Sequence, residues 1–540
     1  MRILGVEGTA WAASAAVHDT ETESTFIETD AYQPDSGGIH PREAAEHMGD
    51  AIPAVIETAL DEADGPIDAV AFSRGPGLGP CLRIVGTAAR SLAQTLDVPL
   101  VGVNHMVAHL EIGRQRSGFD SPVCLNASGA NAHVLGYRNG RYRVLGETMD
   151  TGVGNAIDKF TRHVGWTHPG GPKVEAAAKE GEYVDLPYVV KGMDFSFSGI
   201  MSAAKAASDD GTPVEDVCRG LEENVFAMLT EVAERALSLT DRDELVLGGG
   251  VGQNERLRSM LAEMCEQRGA DFFAPEPRFL RDNAGMVAVL GAEMLRAGDT
   301  LAVGESAVDP DFRPDQVSVT WRDDADGTAD DPDRADATPD AEEEVTGAEA
   351  TVTVGTERVV KRRLPKSYRH PELDERLRRD RTVLEARLTS DARRAGVPTP
   401  VVYDVDPVEG VIEFERVGDA DLRDGLTADR VRDVGRHLAA MHAAGLVHGD
   451  PTTRNVRVDG DLTYLIDFGL GYYTDDVEDY AMDLHVFDQS LAGTADDADR
   501  LRTAFEAAYA EGEAAAGGIG TADVTVLDQL REVEGRGRYQ

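Results

Sequence analysis

Hydrophobic positions in the first part of the chain gather into short β-rich runs, as at Met1–Gly5, Ala69–Ser73, Val123–Ala127 and Glu244–Gly248, separated by longer Ala-rich stretches of helical period. Strand-like runs alternating with helical ones predict an α/β architecture with helices packed on sheets. The pattern stops between Trp321 and Val345. From Arg322 to Glu344 there are eleven acids and two Arg, a composition that cannot bury enough apolar surface to offset the entropy of ordering it. We therefore expect one domain at 1–315, an acidic linker at 316–345 and a second domain at 346–540. The second opens with β-branched positions from Thr351 to Val360, passes a charged helix around Leu373–Leu388 and becomes helical from Ala428 to Ala444. A small β lobe followed by a helical lobe predicts an α+β unit.

Composition sharpens the picture. At 540 residues the chain exceeds a single ordinary core. Lys+Arg number 53 against 98 Asp+Glu, a formal charge of −45, and only seven of the cations are Lys. Such a chain repels polyanions at low ionic strength. Acids spread along the whole length with scarce Lys suit molar salt, where the Debye length is about 3 Å, so we read a halophilic habitat. Cys81, Cys124, Cys218 and Cys265 form no CxxC pair, which argues against a zinc ribbon or a secreted disulfide framework. An acid at Glu7 interrupts any signal-peptide core, and no apolar run approaches the roughly 20 residues of a membrane span. A cytoplasmic protein without a membrane partner is expected.

Three Gly-rich stretches follow apparent strands: Gly5–Thr9, Arg74–Gly79 and Gly248–Asn254. Glycine permits close backbone approach to a phosphate at a helix start, although each stretch alone is also an ordinary turn. Their order, with an acid in the first, resembles the duplicated nucleotide-binding fold of actin, sugar kinases and heat-shock ATPases. His105 and His109 stand four apart, so one helix face presents both imidazoles to a single metal. Two surface histidines would read the same way. Asp282, at the start of a helical stretch, is a candidate third ligand or a helix N-cap.

Taken together, HMVAHL (His105–Leu110), ASGAN (Ala127–Asn131), GNAIDKFTRHVGWTHPGGPKVE (Gly154–Glu175), FSFSG (Phe195–Gly199), GGGVGQNERL and RDNAGM resemble the tRNA N6-adenosine threonylcarbamoyltransferase family over essentially all of 1–315. The resemblance implies transfer of threonylcarbamoyl from threonylcarbamoyl-AMP to N6 of the adenosine 3′ to the anticodon in ANN-decoding tRNA. It implies His105, His109 and Asp282 as ligands of iron or zinc. Asn126, Ala127, Ser128, Gly129, Ala130, Asp158, Gly171, Glu175 and Asn254 would then line the adenylate site. Asn126 stands where many archaeal relatives carry a ligating Tyr, and its amide makes a poorer ligand than a phenolate.

In the second segment His448-Gly449-Asp450 is followed by Asn455, and Ile466-Asp467-Phe468-Gly469 comes shortly after. Phosphoryl transfer needs a carboxylate beside the acceptor hydroxyl, and an Asn and a second Asp on Mg²⁺. Lys361 and Glu385 are candidates for the phosphate-touching Lys and its helix partner, while Gly347 is the one glycine where a Gly-rich loop is expected. With about a dozen residues between Gly469 and Asp483, no long activation segment fits. The pattern resembles the small atypical kinase/ATPase of the KEOPS complex, with a protein-kinase-like fold, and the whole chain resembles its fusion to the transferase known in some archaea. ATP, Mg²⁺ and other KEOPS subunits are implied. Cations between Arg358 and Arg387 and in the C-terminal tail suit tRNA phosphates or internal salt bridges. A competing reading, a metalloprotease with a regulatory kinase, lacks the Glu of an HExxH motif.

Overall fold

A computed structural model describes residues 1–32, 41–129, 131–138, 140–322, 343–495, 497–515 and 525–536. Ala130 and most of the expected linker lie outside the described residues. The chain divides into two compact units, Met1–Asp330 with Ser367–Arg369, and Asp331–Lys366 with His370–Gln540.

The first unit begins with strands β1 (Arg2–Glu7), β2 (Ala12–Asp19) and β3 (Ser24–Ala31), followed by α1 (Pro41–Asp61), β4 (Ala69–Gly75), α2 (Gly79–Leu96), β5 (Leu100–Asn104) and α3 (His105–Ser117). It continues with β6 (Val123–Ala127), β7 (Ala132–Arg138) and β8 (Arg141–Glu147), then α4 (Val153–His163), α5 (Gly171–Ala178), a short hairpin of β9 (Val190–Lys191) and β10 (Asp194–Phe195), α6 (Ser198–Asp209) and α7 (Val214–Thr240). β11 (Glu244–Gly248), α8 (Glu255–Arg268), β12 (Asp271–Phe273), α9 (Pro277–Leu280) and α10 (Ala284–Arg296) complete it. The two sheets run β3-β2-β1-β4-β5 and β8-β7-β6-β11-β12. In both, the first three strands form an antiparallel meander and the last two join in parallel. The second sheet therefore repeats the topology of the first, as the expected duplication requires.

Between the sheets the repeats exchange helices. α3, which follows the first sheet, packs on β6 and β11, and α10, which follows the second, packs on β1, β2, β4 and β5. Ile3, Ala71, Val103, Val107, Val246, Met286 and Leu290 share the resulting core. Two glycines permit close approaches, one to a helix and one to a neighbouring strand. A β-carbon at Gly5 would collide with the Ala284 carbonyl and stand 2.9 Å from the Ala288 methyl, so a bare β1 lets α10 lie close. Gly249, just after β11, has φ +84° and would drive a β-carbon into the Ala127 carbonyl and within 2.7 Å of Asn126 Oδ1.

Packing of this unit continues past 315. Arg322 lies 3.7 Å over the Tyr137 ring and pairs with the buried Glu111 carboxylate at 3.3 Å, while Trp321 stacks near Tyr142. The stretch expected to be linker from 316 is in this part a structured strap.

In the second unit β13 (Glu343–Thr346), β14 (Ala350–Val354), β15 (Arg358–Arg363), β16 (Val402–Asp406) and β17 (Val411–Glu415) form an antiparallel sheet in the order β13-β14-β15-β17-β16. α11 (Pro371–Arg394) packs against it. Helices α12 (Ala428–Ala443), α13 (Val477–Thr494), α14 (Ala498–Ala515) and α15 (Val526–Arg536) enclose a second core of Leu438, Phe468, Phe487, Phe505 and Tyr509. β13 begins at Glu343, inside the stretch expected to be linker.

Gly249→Ala tests the close approach. The positive φ alone costs an L-residue about 1–2 kcal/mol, and the collision with Ala127 adds to it, so unfolding in denaturant with molar KCl should show a loss of at least about 2 kcal/mol. Unchanged stability would contradict the packing.

Candidate functional site

His105 is the first residue of α3, whose N-cap Asn104 accepts from the backbone N–H groups of Met106 and Val107. One helical turn carries His109 to the same face, with ring centroids 4.9 Å apart and nearly perpendicular. Asp282 comes from the other repeat. It precedes α10 but does not cap it, because Asn283 accepts from Met286 N–H at 3.0 Å and fills that role. This leaves the Asp282 carboxylate 3.3 Å from His105 Nε2 and 3.4 Å from His109 Nε2. One ligand atom from each of the three residues lies within 4.8 Å of the others.

Both His109 nitrogens are buried without a hydrogen-bond partner, and so is Asn126 Oδ1 at the end of β6. Orphaned buried polar atoms are costly, and a cation among them removes the deficit. Two imidazole nitrogens and one carboxylate suit zinc or iron, so the residues present fit a divalent metal. Asn126 Nδ2 faces Met106 Sδ at 3.6 Å, leaving its oxygen toward the His109 side of the wall.

The expected adenylate residues fall into linked groups. Ser128 and Gly129 follow β6 and rest on the first turn of α4, their carbonyls accepting from Gly154 and Asn155 N–H at 3.3 and 2.8 Å. Asp158 on α4 accepts from Gly170 N–H at 2.8 Å and meets His168 Nδ1 at 3.0 Å, which fixes the loop entering α5 at Gly171. Glu175 accepts from Glu255 N–H at 3.1 Å. Asn254 caps α8 by accepting from Leu257 N–H at 3.1 Å and donates to Glu222 Oε1 at 2.9 Å. Glu222 and His168 were not among the expected residues, and no spacing in the sequence marks them. Glu7 was seen only as the acid of a Gly-rich turn, but the structure turns it toward His105 Nδ1.

In the second unit Lys361 of β15 meets Glu385 of α11 at 2.8 Å and Asp467 at 2.6 Å. Asn455 donates to both the backbone oxygen and Oδ2 of Asp450, at 2.8 and 2.9 Å. Asp467 has φ +63°, a strained conformation for a non-glycine residue. Asp483, which in the sequence only bounds the stretch after Gly469, accepts from His448 and Gly449 N–H at 2.7 and 2.8 Å and so holds the loop that carries Asp450. Gly347 closes the β13–β14 turn through its N–H to Ala350 O. From that turn Glu349 pairs with Arg363 at 2.8 Å and with Arg381 at 3.3 Å, so ion pairs rather than a run of glycines fasten it.

Comparison with known proteins bears on both units. The family model for TsaD, tRNA N6-adenosine threonylcarbamoyltransferase, matches residues 21–289. A Halobacterium salinarum protein is 73% identical over 100% of this chain and 99% of its own length, and a Haloarcula marismortui protein is 68% identical over 100% of both. A Methanospirillum hungatei relative is 50% identical over 99% of each. All three carry the name "Probable bifunctional tRNA threonylcarbamoyladenosine biosynthesis protein". The chain belongs to this bifunctional family. TsaD proteins bind a divalent metal, which agrees with the converging His105, His109 and Asp282. Among the described residues no helix is long and apolar enough to cross a membrane.

Electrostatics distinguish the two walls of the family's transferase unit. At the metal set, burial disfavours a charged His105, but the Glu7 and Asp282 carboxylates outweigh it and push its pKa up to about 10. Burial likewise opposes the Asp282 carboxylate, and the two imidazoles hold it well below the usual range. His109 is depressed, chiefly by burial. Beside Asn254, burial followed by the neighbouring Glu175 and Glu223 carboxylates pushes Glu222 up to about 7, against the hydrogen bond from Asn254 and the charge of Arg219.

A carboxyl whose folded pKa is raised binds its proton more tightly in the folded state, so stability falls as pH rises from the ordinary value through about 7. Glu222→Gln keeps the acceptor for Asn254 and removes the ionisation. Its unfolding free energy in molar KCl should exceed that of the parent at pH 8 by up to about 3 kcal/mol, with the difference shrinking toward pH 5. A pH-independent difference would contradict the assignment.

Proposed function

We propose that the first unit transfers the threonylcarbamoyl group from threonylcarbamoyl-AMP to N6 of the adenosine 3′ to the anticodon in ANN-decoding tRNA, and that the second unit is an atypical Ser/Thr kinase or ATPase supporting turnover. The observation that carries the first part is the meeting of His105, His109 and Asp282 beside unpartnered His109 and Asn126 atoms, within a chain whose relatives bear a tRNA threonylcarbamoyladenosine biosynthesis name. Iron or zinc held there supplies Lewis-acid polarisation of the carbamoyl oxygen.

The remaining work falls to the chain's own groups. Asp158, Gly171, Glu175 and Asn254 hold the adenylate, with Ser128 and Gly129 beside it. In the reaction the N6–carbonyl bond forms, the bond from that carbonyl to the AMP phosphate oxygen breaks, and the N6 proton passes to solvent or a nearby base. In the second unit Lys361, held by Glu385, touches ATP phosphates, Asn455 and Asp467 take Mg²⁺, and Asp450 orients the acceptor hydroxyl or water. Burial opposes the charge on Lys361, but Asp467 and Glu385 sustain it. Exposed Arg387 on α11 is left to meet tRNA phosphates, whereas Arg363, Arg378, Arg379 and Arg381 are engaged in internal pairs. Other KEOPS subunits are expected partners, and the compartment is the cytoplasm.

Nothing favours the metalloprotease reading. Glu111, the acid on the helix of the His pair, is bonded to Tyr142, Arg114 and Arg322 and is not free as a general base.

Transfer measured in molar KCl with ANN-decoding tRNA, threonylcarbamoyl-AMP, ATP and the small KEOPS partners tests the proposal. His109→Ala should lower modified adenosine at least 100-fold. Asp450→Ala should abolish ATP hydrolysis while leaving a single round of transfer. Transfer surviving His109→Ala would overturn the metal assignment, and ATP turnover surviving Asp450→Ala would overturn the second.

A further inference from the structure

Glu7 is fully buried at the end of β1. Its Oε1 accepts from Thr9 N–H at 2.8 Å, and its Oε2 takes the Ser73 hydroxyl of β4 and faces His105 Nδ1 at 3.2 Å. The opposite ring nitrogen, Nε2, points to the Asp282 carboxylate. A deprotonated carboxylate can only accept, so the ring nitrogen beside it carries the hydrogen, and Nε2 keeps its lone pair when the ring is neutral. On His109 the nitrogen away from Asp282, Nδ1, is buried with no hydrogen-bond partner.

We infer that Glu7 is a positioning residue for the metal: it fixes the orientation and tautomer of His105, so that His105 is the pre-set ligand, whereas His109 Nδ1 has no such carboxylate. The Gly5–Thr9 turn, which from sequence suits a phosphate, then serves the metal through its acid. This rests on the metal reading of His105, His109 and Asp282. A ligating imidazole whose other nitrogen donates to a carboxylate is held for its metal, and loss of such a partner typically weakens binding about 10–100-fold.

Glu7→Gln cannot accept at both positions. Its NH₂ must face either Thr9 N–H or the His105 and Ser73 side, and in the second case it favours the tautomer with hydrogen on Nε2, which cannot bind metal. The test is Zn²⁺ affinity of the full chain in molar KCl, by competition with a chelator, with folding checked by circular dichroism. Glu7→Gln should raise the dissociation constant about 10–100-fold, and in a His105→Ala background it should change nothing further. If Glu7→Gln does not fold, Glu7→Asp, one methylene short of the ring, takes its place with the same expectation. Parental affinity in the single variant, or a further loss in the His105→Ala background, would overturn the inference. Parental protein that binds no Zn²⁺, or binds it equally after His109→Ala, would overturn the metal reading itself.

Discussion

A buried carboxylate, Glu7, and a partly buried one, Asp282, set against two imidazoles are the constraint on which the first unit depends. Glu7 and Asp282 come from opposite repeats, and neither has enough solvent to carry its charge cheaply. With neutral imidazoles the set holds two negative charges, the complement of a divalent cation. Without a metal, a proton on His105 offsets part of that charge, which is why its pKa rises while those of Glu7 and Asp282 fall. The exchanged packing of α3 and α10 brings these groups into one seam, and the seat of α10 in turn needs a bare backbone at Gly5.

The glycine-rich stretches take on a different meaning in this light. Gly249 occupies a backbone region that other residues resist, directly against the strand end carrying Asn126 and Ala127. Its first consequence is that the chain after β11 lies directly against Ala127 and Asn126. The same stretch then delivers Asn254, whose amide is shared between the cap of α8 and Glu222. Sequence, close approach and side-chain placement form one chain of cause.

Much of this was legible in the sequence because chemistry at fixed local spacing survives any tertiary arrangement. The His105–His109 interval, the Asp450–Asn455 interval and Asp467 are of that kind, as are the four strands read from β-rich runs. What was not legible depends on long-range placement. That Asn283 rather than Asp282 caps α10 follows from backbone direction at one residue. Glu7 reaching His105, Glu222 reaching Asn254 and Asp483 holding the Asp450 loop each join groups at least 30 residues apart. The linker edges were misjudged for another reason: Trp321 and Arg322 pack on aromatic rings within a composition that by itself looks unstructured.

The proposed metal takes its ligands from both repeats, His105 and His109 from one and Asp282 from the other. Anomalous scattering from crystals of transfer-active protein, recorded on both sides of the absorption edge of its bound metal, tests this most directly. One strong peak is expected at about 2.0–2.2 Å from a nitrogen of His105, a nitrogen of His109 and an Asp282 oxygen. A peak elsewhere, or none in protein that still transfers the threonylcarbamoyl group, would contradict it.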